Sequence, residues 1–217
     1  MIVSIPIHLY FILLALVVSC FIYSQKDVPF YLKLFPPFLL ITLVAESFGF
    51  YLWYIRIESA IFFNYFTTFE FCFYQYILSL IISNRKMKKA VLYTLFIYLI
   101  LTLANINFFQ KGSFHSVTYV LGCLLIVIFC IYYFFELFRL PVSVKLTSEP
   151  AFWICSALLF YYCCSLPLYG AINFLYRISA FLLNNMQIIL NVINVLLYSL
   201  FTIAFLCRRR TPKYISQ

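Results

Sequence analysis

Apolar residues run along this chain in seven long blocks, at about 4–23, 34–54, 60–83, 90–108, 116–138, 150–173 and 180–206. Polar residues gather in the gaps between them. A helix rises 1.5 Å per residue, so about 20 residues cross a hydrocarbon core about 30 Å thick. The pattern predicts an all-α polytopic membrane protein, a seven-transmembrane-helix bundle. It forms a single integral-membrane domain over 1–217, ending in a basic tail at 207–217.

The block edges read as helix ends. Pro36-Pro37 opens the second helix and Pro150, after Glu149, opens the sixth, where missing N–H donors cost little. Pro167 lies inside the sixth and predicts a kink near Cys163–Cys164. "LVVSC" at Leu16–Cys20 has the look of a lipoprotein cleavage box, but no Lys or Arg precedes it. An uncleaved first helix is therefore expected.

Charge adds an orientation. The connections 24–33, 84–89, 139–149 and 207–217 hold twelve of the fifteen Lys and Arg residues. The alternate connections hold only Arg56, Lys111 and Arg177. By the positive-inside rule the N-terminus is outside and the C-terminus cytoplasmic. The net charge of +9 is thus a topology signal with some affinity for anionic headgroups, and no nucleic-acid partner is expected. Composition agrees, at 66% apolar and 10% charged, where a soluble domain carries about a quarter charged. The eight cysteines fall within or at the ends of apolar blocks, as small hydrophobes do.

The last block, "LLNNMQIILNVINVLLYSLFT" from Leu182 to Thr202, is rich in amides. At 100° per residue, Asn184, Gln187, Asn191, Asn194, Tyr198 and Thr202 fall within an arc of about 80°. Such a stripe faces other helices, as interhelical glue or as the lining of a ligand site. Two carboxylates reach similar depth. Glu46 stands twelve residues from the start of the second block, and Glu70 ten residues into the third. Each costs roughly 2.5–3.5 kcal/mol if charged at the helix centre, and no Lys or Arg lies at that depth. Each is therefore expected to be protonated, solvated in a polar cavity or holding a cation. The candidate ligand site comprises Glu46, Glu70, Asn64, Gln187, Asn191, Asn194 and Tyr198. His8, His115, Asn105 and Glu136 read as helix-end residues.

Several chemistries lack their parts. Asp27 is the only aspartate, no HExxH or GxSxG occurs, and there are only four glycines. No metal, cofactor or catalytic residue is expected. The last helix has no lysine for a retinal Schiff base, and D/E-R-Y and N-P-x-x-Y are missing.

"YLKLFPPFLLITLVAE", "NYFTTFEF", "LGCLLIVIFCIYYFFEL" and "EPAFWI" resemble recurring phrases of an uncharacterised bacterial seven-helix inner-membrane family, over most of the chain. The resemblance implies a multi-pass protein of the bacterial inner membrane, and it implies no activity. The expected function is a non-enzymatic sensing or signalling component. It binds a small ligand, proton or cation in the polar seam and acts through a cytoplasmic or membrane partner. A small-solute or cation transporter or channel using the same acids is the alternative, and a structural membrane subunit the third. An enzyme acting on lipid is conceivable only through Glu46 and Glu70 as an acid–base pair.

Overall fold

In a computed structural model, residues 6–24, 28–139, 146–170 and 180–207 are described. The tail beyond Cys207, the connection residues Lys26, Asp27, Lys145 and Arg177, and the side chains of Asn184 and Gln187 lie outside them. Among the described residues every regular element is helical. Helix α1 (Ile7–Cys20) ends in a 3-10 turn at Phe21–Ser24, and a short α2 (Phe30–Lys33) leads into α3 (Phe35–Tyr54). Then follow α4 (Ala60–Ile81), α5 (Arg85–Ala104) with a π-helical extension at Asn105–Phe109, and α6 (Ser116–Phe138). A 3-10 turn at Leu146–Ser148 precedes α7 (Pro150–Gly170), and α8 (Ala180–Leu206) closes the chain.

Each apolar block thus holds one main helix among the described residues, but they are not equivalent. Five stretches are long and apolar enough to cross a membrane: Phe30–Tyr54, Arg85–Phe109, Ser116–Phe138, Pro150–Gly170 and Ile188–Leu206. Helix α4 has the length, with 22 residues, but Asn64, Thr67, Thr68, Glu70 and Gln75 lower its apolarity. Helix α1 has 14 residues, about 21 Å of helix, and is short for a full span. The outward faces are apolar throughout, with Leu13, Val17, Ile41, Val44, Ile97, Ile100, Ile128 and Val192 all exposed. Exposed apolar surface on this scale marks contact with lipid rather than water, so the molecule is a membrane protein.

Local chemistry explains the ends. Pro36 and Pro37 have no N–H to donate, so the helical ladder breaks between α2 and α3. The carbonyl of Lys33, which residue 37 would have bonded, accepts from the Tyr23 hydroxyl at 2.8 Å instead. Asn84 caps α5, its Oδ1 accepting from the N–H groups of Lys86 at 2.9 Å and Met87 at 3.4 Å. Glu136 accepts from the Ser83 N–H at 3.0 Å and so ties the end of α6 to the α4–α5 turn. Pro167 lies within α7, which stays helical through it to Gly170. All eight cysteines are free thiols.

The helices pack in the order α3, α1, α8, α7, α6, α4, α5, each against the next. Helix α4 also reaches inward. Phe71 meets Tyr98 of α5, Tyr119 of α6 and Tyr162 of α7 at ring distances of 5.5, 5.1 and 5.1 Å. Tyr74 contacts Phe38 of α3 at 5.3 Å and Phe201 of α8 at 6.2 Å. Helix α4, whose polar residues are spread along its length, is thus the one with neighbours on most sides, which is where its polar groups are least costly. Gly122 admits this packing, since a Cβ there would lie 2.9 Å from the Phe71 ring. Helices α3 and α4 touch mainly through side chains, with Phe38 and Phe73 stacked at 3.7 Å. On the outer side they leave an apolar crevice of about 750 Å³, lined by Leu40, Val44, Phe48, Phe62, Phe66 and Phe69 among others.

Candidate functional site

Helix α1 is short, and its first turn meets two longer helices near their middles rather than at the rim. That turn carries His8. Its Nδ1 is 2.7 Å from Oδ1 of Asn191 on α8, and its Nε2 is 3.6 Å from Oε2 of Glu46 on α3. With Asn191 presenting an oxygen, Nδ1 must carry a proton. One proton between Nε2 and the Glu46 carboxyl, on either group, joins the pair; without it two lone-pair acceptors face each other and the contact is lost. The side chains of His8 and Glu46 keep 14% and 28% of their surface exposed, so the pair is not sealed.

Glu70 of α4 lies within electrostatic range of Glu46. It is half-buried, and no hydrogen bond or ion pair joins it to another described residue. Tyr74 on its own helix, Tyr161 and Tyr162 on α7, and Tyr198 on α8 lie within electrostatic range of it. Tyr161 and Tyr198 lie within such range of Glu46 as well. The Tyr74 and Tyr162 rings are 6.1 Å apart, and Tyr74 and Tyr198 both flank Phe201 at 6.2 Å. The Tyr74 hydroxyl is buried without a hydrogen-bond partner among the described residues. Its replacement by hydrogen in Tyr74→Phe removes an unsatisfied polar group, and unfolding in detergent should show stability unchanged or raised by about 1 kcal/mol.

Of the residues expected to form one site, the structure therefore brings Glu46, Glu70, Asn191 and Tyr198 into one neighbourhood. Asn194 is oriented otherwise, its Nδ2 donating to the Leu190 carbonyl of its own helix at 3.0 Å. Thr202 back-bonds Tyr198 at 2.8 Å in the same manner, so among the described side chains of the stripe the bond across helices is His8–Asn191. The Gln187 side chain lies outside the described residues. Sequence reasoning placed His8 at the outer rim; it is instead the bridge between α3 and α8. The available signal was Pro6, which starts the helix just before it. The α3–α4 crevice is separate from this group, because Glu46 lies about 160° around α3 from Val44 and Phe48 at 100° per residue.

Asn64 belongs to a second polar cluster, at the end of the bundle where α4 starts. Six residues before Glu70, it points to another side of the helix. Its Nδ2 donates to the Ser113 carbonyl at 2.8 Å and its Oδ1 accepts from the His115 N–H at 3.1 Å. His115 is fully buried at the start of α6, with Nε2 2.8 Å from Thr67 Oγ1 and Nδ1 2.9 Å from Thr118 Oγ1. A neutral Nε2–H tautomer satisfies both: it donates to Thr67, and Thr118 donates to Nδ1. Burial lowers the His115 pKa to about 4. The π-helical turn brings Asn105 into the cluster, its Nδ2 donating to Thr118 Oγ1 at 3.1 Å and Gln110 Oε1 at 2.7 Å. Both ring nitrogens of His115 and both polar atoms of the Asn64 amide are bonded within the protein, so this cluster is a clasp joining α4, α5 and α6.

Among the described residues no three of His, Cys, Asp and Glu converge as a metal-ligand set. In comparisons with protein-family models, with curated proteins and with solved structures, no match to this chain is found.

Proposed function

We propose that the protein is a membrane-embedded sensing component that takes a proton or small cation among His8, Glu46, Glu70 and Asn191. The observation that carries this reading is the His8 bridge. One ionisable side chain on α1 holds both α3 and α8, and its contact with Glu46 depends on a single proton. Gain or loss of that proton, or arrival of a cation at the carboxylates, alters how α1 packs against two neighbours at once. That is a helix-level response to a local charge. The output passes to a partner in the membrane or at the basic face. The N-terminus is outside and the C-terminal tail cytoplasmic in this reading, and the membrane is a bacterial inner membrane.

Thermal unfolding of the purified protein from pH 5 to 9, with a panel of ions and metabolites, tests it. A ligand at one hundred times its dissociation constant should stabilise by about 2.7 kcal/mol. The expected result is a ligand-dependent shift, or a pH dependence beyond that of His115, in wild type that Glu46→Gln removes. Identical responses in the two proteins would leave the site as packing alone. A transporter or channel is the second reading, supported by the incomplete burial of His8 and Glu46. Proteoliposome uptake that disappears in Glu46→Gln would favour it.

A further inference from the structure

Helices α3 and α4 are joined by only five residues, 55–59, yet they diverge beyond that loop. They meet closely at two heights. Near the loop a Cβ on Gly49 would run into the Phe63 ring, and further along Phe38 stacks on Phe73 at 3.7 Å. Between those heights α3 packs on α1 while α4 packs on α5 and α6, so the seam stays open as the crevice of about 750 Å³. Val44, Phe48, Tyr65 and Phe69 on its walls are exposed, and no charged side chain lines it.

Depth in the membrane identifies what can lie there. Tyr51, Trp53 and Tyr54 are exposed at the end of α3, an aromatic belt of the kind that marks a membrane–water interface. From Tyr54 to Val44 is ten residues, about 15 Å of helix and half of a hydrocarbon core about 30 Å thick. The crevice thus runs towards the midplane over the depth of one leaflet's tails. Its volume falls within the range of about 300–1,000 Å³ of small-molecule sites. An apolar slot of that reach takes an acyl chain.

The loop supplies partners for the other half of a lipid. It holds one cation and one anion, Arg56 and Glu58, both exposed and neither in an ion pair among the described residues. Arg56 is held at a φ of 59°, a backbone conformation that residues other than glycine rarely adopt. Its N–H donates to the Trp53 carbonyl at 3.1 Å, and the Ile57 N–H donates to that of Leu52 at 3.0 Å, so the loop is folded back on the end of α3. Phe62, on the crevice wall, is the third residue of α4 and lies within one turn of the loop. A phosphate pairs with the guanidinium, and a primary ammonium beside it donates to the carboxylate. Phosphatidylethanolamine carries both groups on one head. An anionic lipid would set its charge against Glu58, and a choline head has no N–H to donate.

We infer that the α3–α4 crevice is a site for one phosphatidylethanolamine molecule, with a chain in the slot and the head on Arg56 and Glu58. The site is separate from the His8–Glu46 group and does not depend on the proton or cation reading.

The test uses the full-length protein in phospholipid-free maltoside micelles. It is titrated with dioleoyl phosphatidylethanolamine and, as controls, with the phosphatidylcholine and phosphatidylglycerol of the same chains. Thermal unfolding should show a saturable rise in Tm that is largest for phosphatidylethanolamine. Arg56→Gln and Glu58→Gln, both on the surface, should each weaken apparent affinity about fivefold and leave Tm without lipid unchanged. Val44→Trp puts a large side chain into the slot from an exposed position and should remove the saturable response. Equal stabilisation by the three lipids, undiminished affinity in both loop variants, or a full response in Val44→Trp would overturn the assignment. A response to phosphatidylglycerol that only Arg56→Gln weakens would overturn it in favour of an anionic lipid. A dimer by light scattering that Val44→Trp dissociates would overturn it too, since a second copy then fills the crevice.

Discussion

Replacing Asn64 with alanine is expected to cost about 3 kcal/mol of stability. Asn64 bonds the carbonyl of the exposed Ser113 at 2.8 Å and the buried His115 N–H at 3.1 Å. The His115 N–H would be left unsatisfied, at about 1–3 kcal/mol, the Ser113 carbonyl would turn to solvent, and the removed side chain adds a small void. For a chain of 217 residues this corresponds to a fall in Tm of roughly 10 °C. Asn194→Ala is the informative contrast. That amide donates only to the carbonyl of Leu190, which its own helix already supports, so its removal should cost less than about 1 kcal/mol. Unfolding of both variants in the same detergent checks the pair. Equal losses would mean that the clasp at the α4–α6 junction has no special weight.

The second large effect follows from His115 in the same clasp. Its folded pKa is about 4, lowered by burial, against about 6.5 for an exposed imidazole. Between those values the unfolded chain binds a proton that the folded protein refuses, so stability falls as pH falls. The contribution is fully present above pH 6.5, declines through the window and is gone near pH 4. Its size is about 3 kcal/mol, since each tenfold change in proton affinity is worth about 1.4 kcal/mol. Other carboxyls and His8 also titrate in acid, so the quantity to measure is the difference between wild type and His115→Leu. Thr67 and Thr118 keep backbone partners at Phe63 and His115 in that variant, so the swap leaves no orphaned hydroxyl. The variant should be less stable at pH 7 and lose less on acidification. Parallel curves would show that His115 protonates in the fold as readily as outside it.

The clasp and the Glu46 neighbourhood illustrate different limits of reading from sequence. The depth of Glu46 and Glu70 was legible because a carboxyl inside an apolar block is costly wherever it points. The stripe on the last helix was legible as a stripe, but its partners were not. Asn191 meets His8, whereas Asn194 and Thr202, on the same arc, turn back to their own backbone. Helical periodicity assigns a face; a side chain's rotamer then chooses between a neighbour and the preceding turn. Asn64 shows the complementary error. It shares a helix with Glu70 and reads as part of one polar face, yet six residues of helical rotation carry it to α6.

The sequence by itself determined that this is a helical membrane protein, that α3 and α7 begin at or beside prolines, and that two carboxyls stand midway along apolar segments. Those properties follow from local energetics: apolar length against bilayer thickness, proline against the helical ladder, charge against hydrocarbon. Only the tertiary structure decided that α4, with polar residues along its length, is flanked on most sides, and that a short α1 sets His8 between Glu46 and Asn191. It also decided that tyrosines of α4, α7 and α8 lie within electrostatic range of Glu70. Those outcomes depend on the relative height and rotation of helices far apart in sequence, which packing of the whole bundle selects and no single segment encodes.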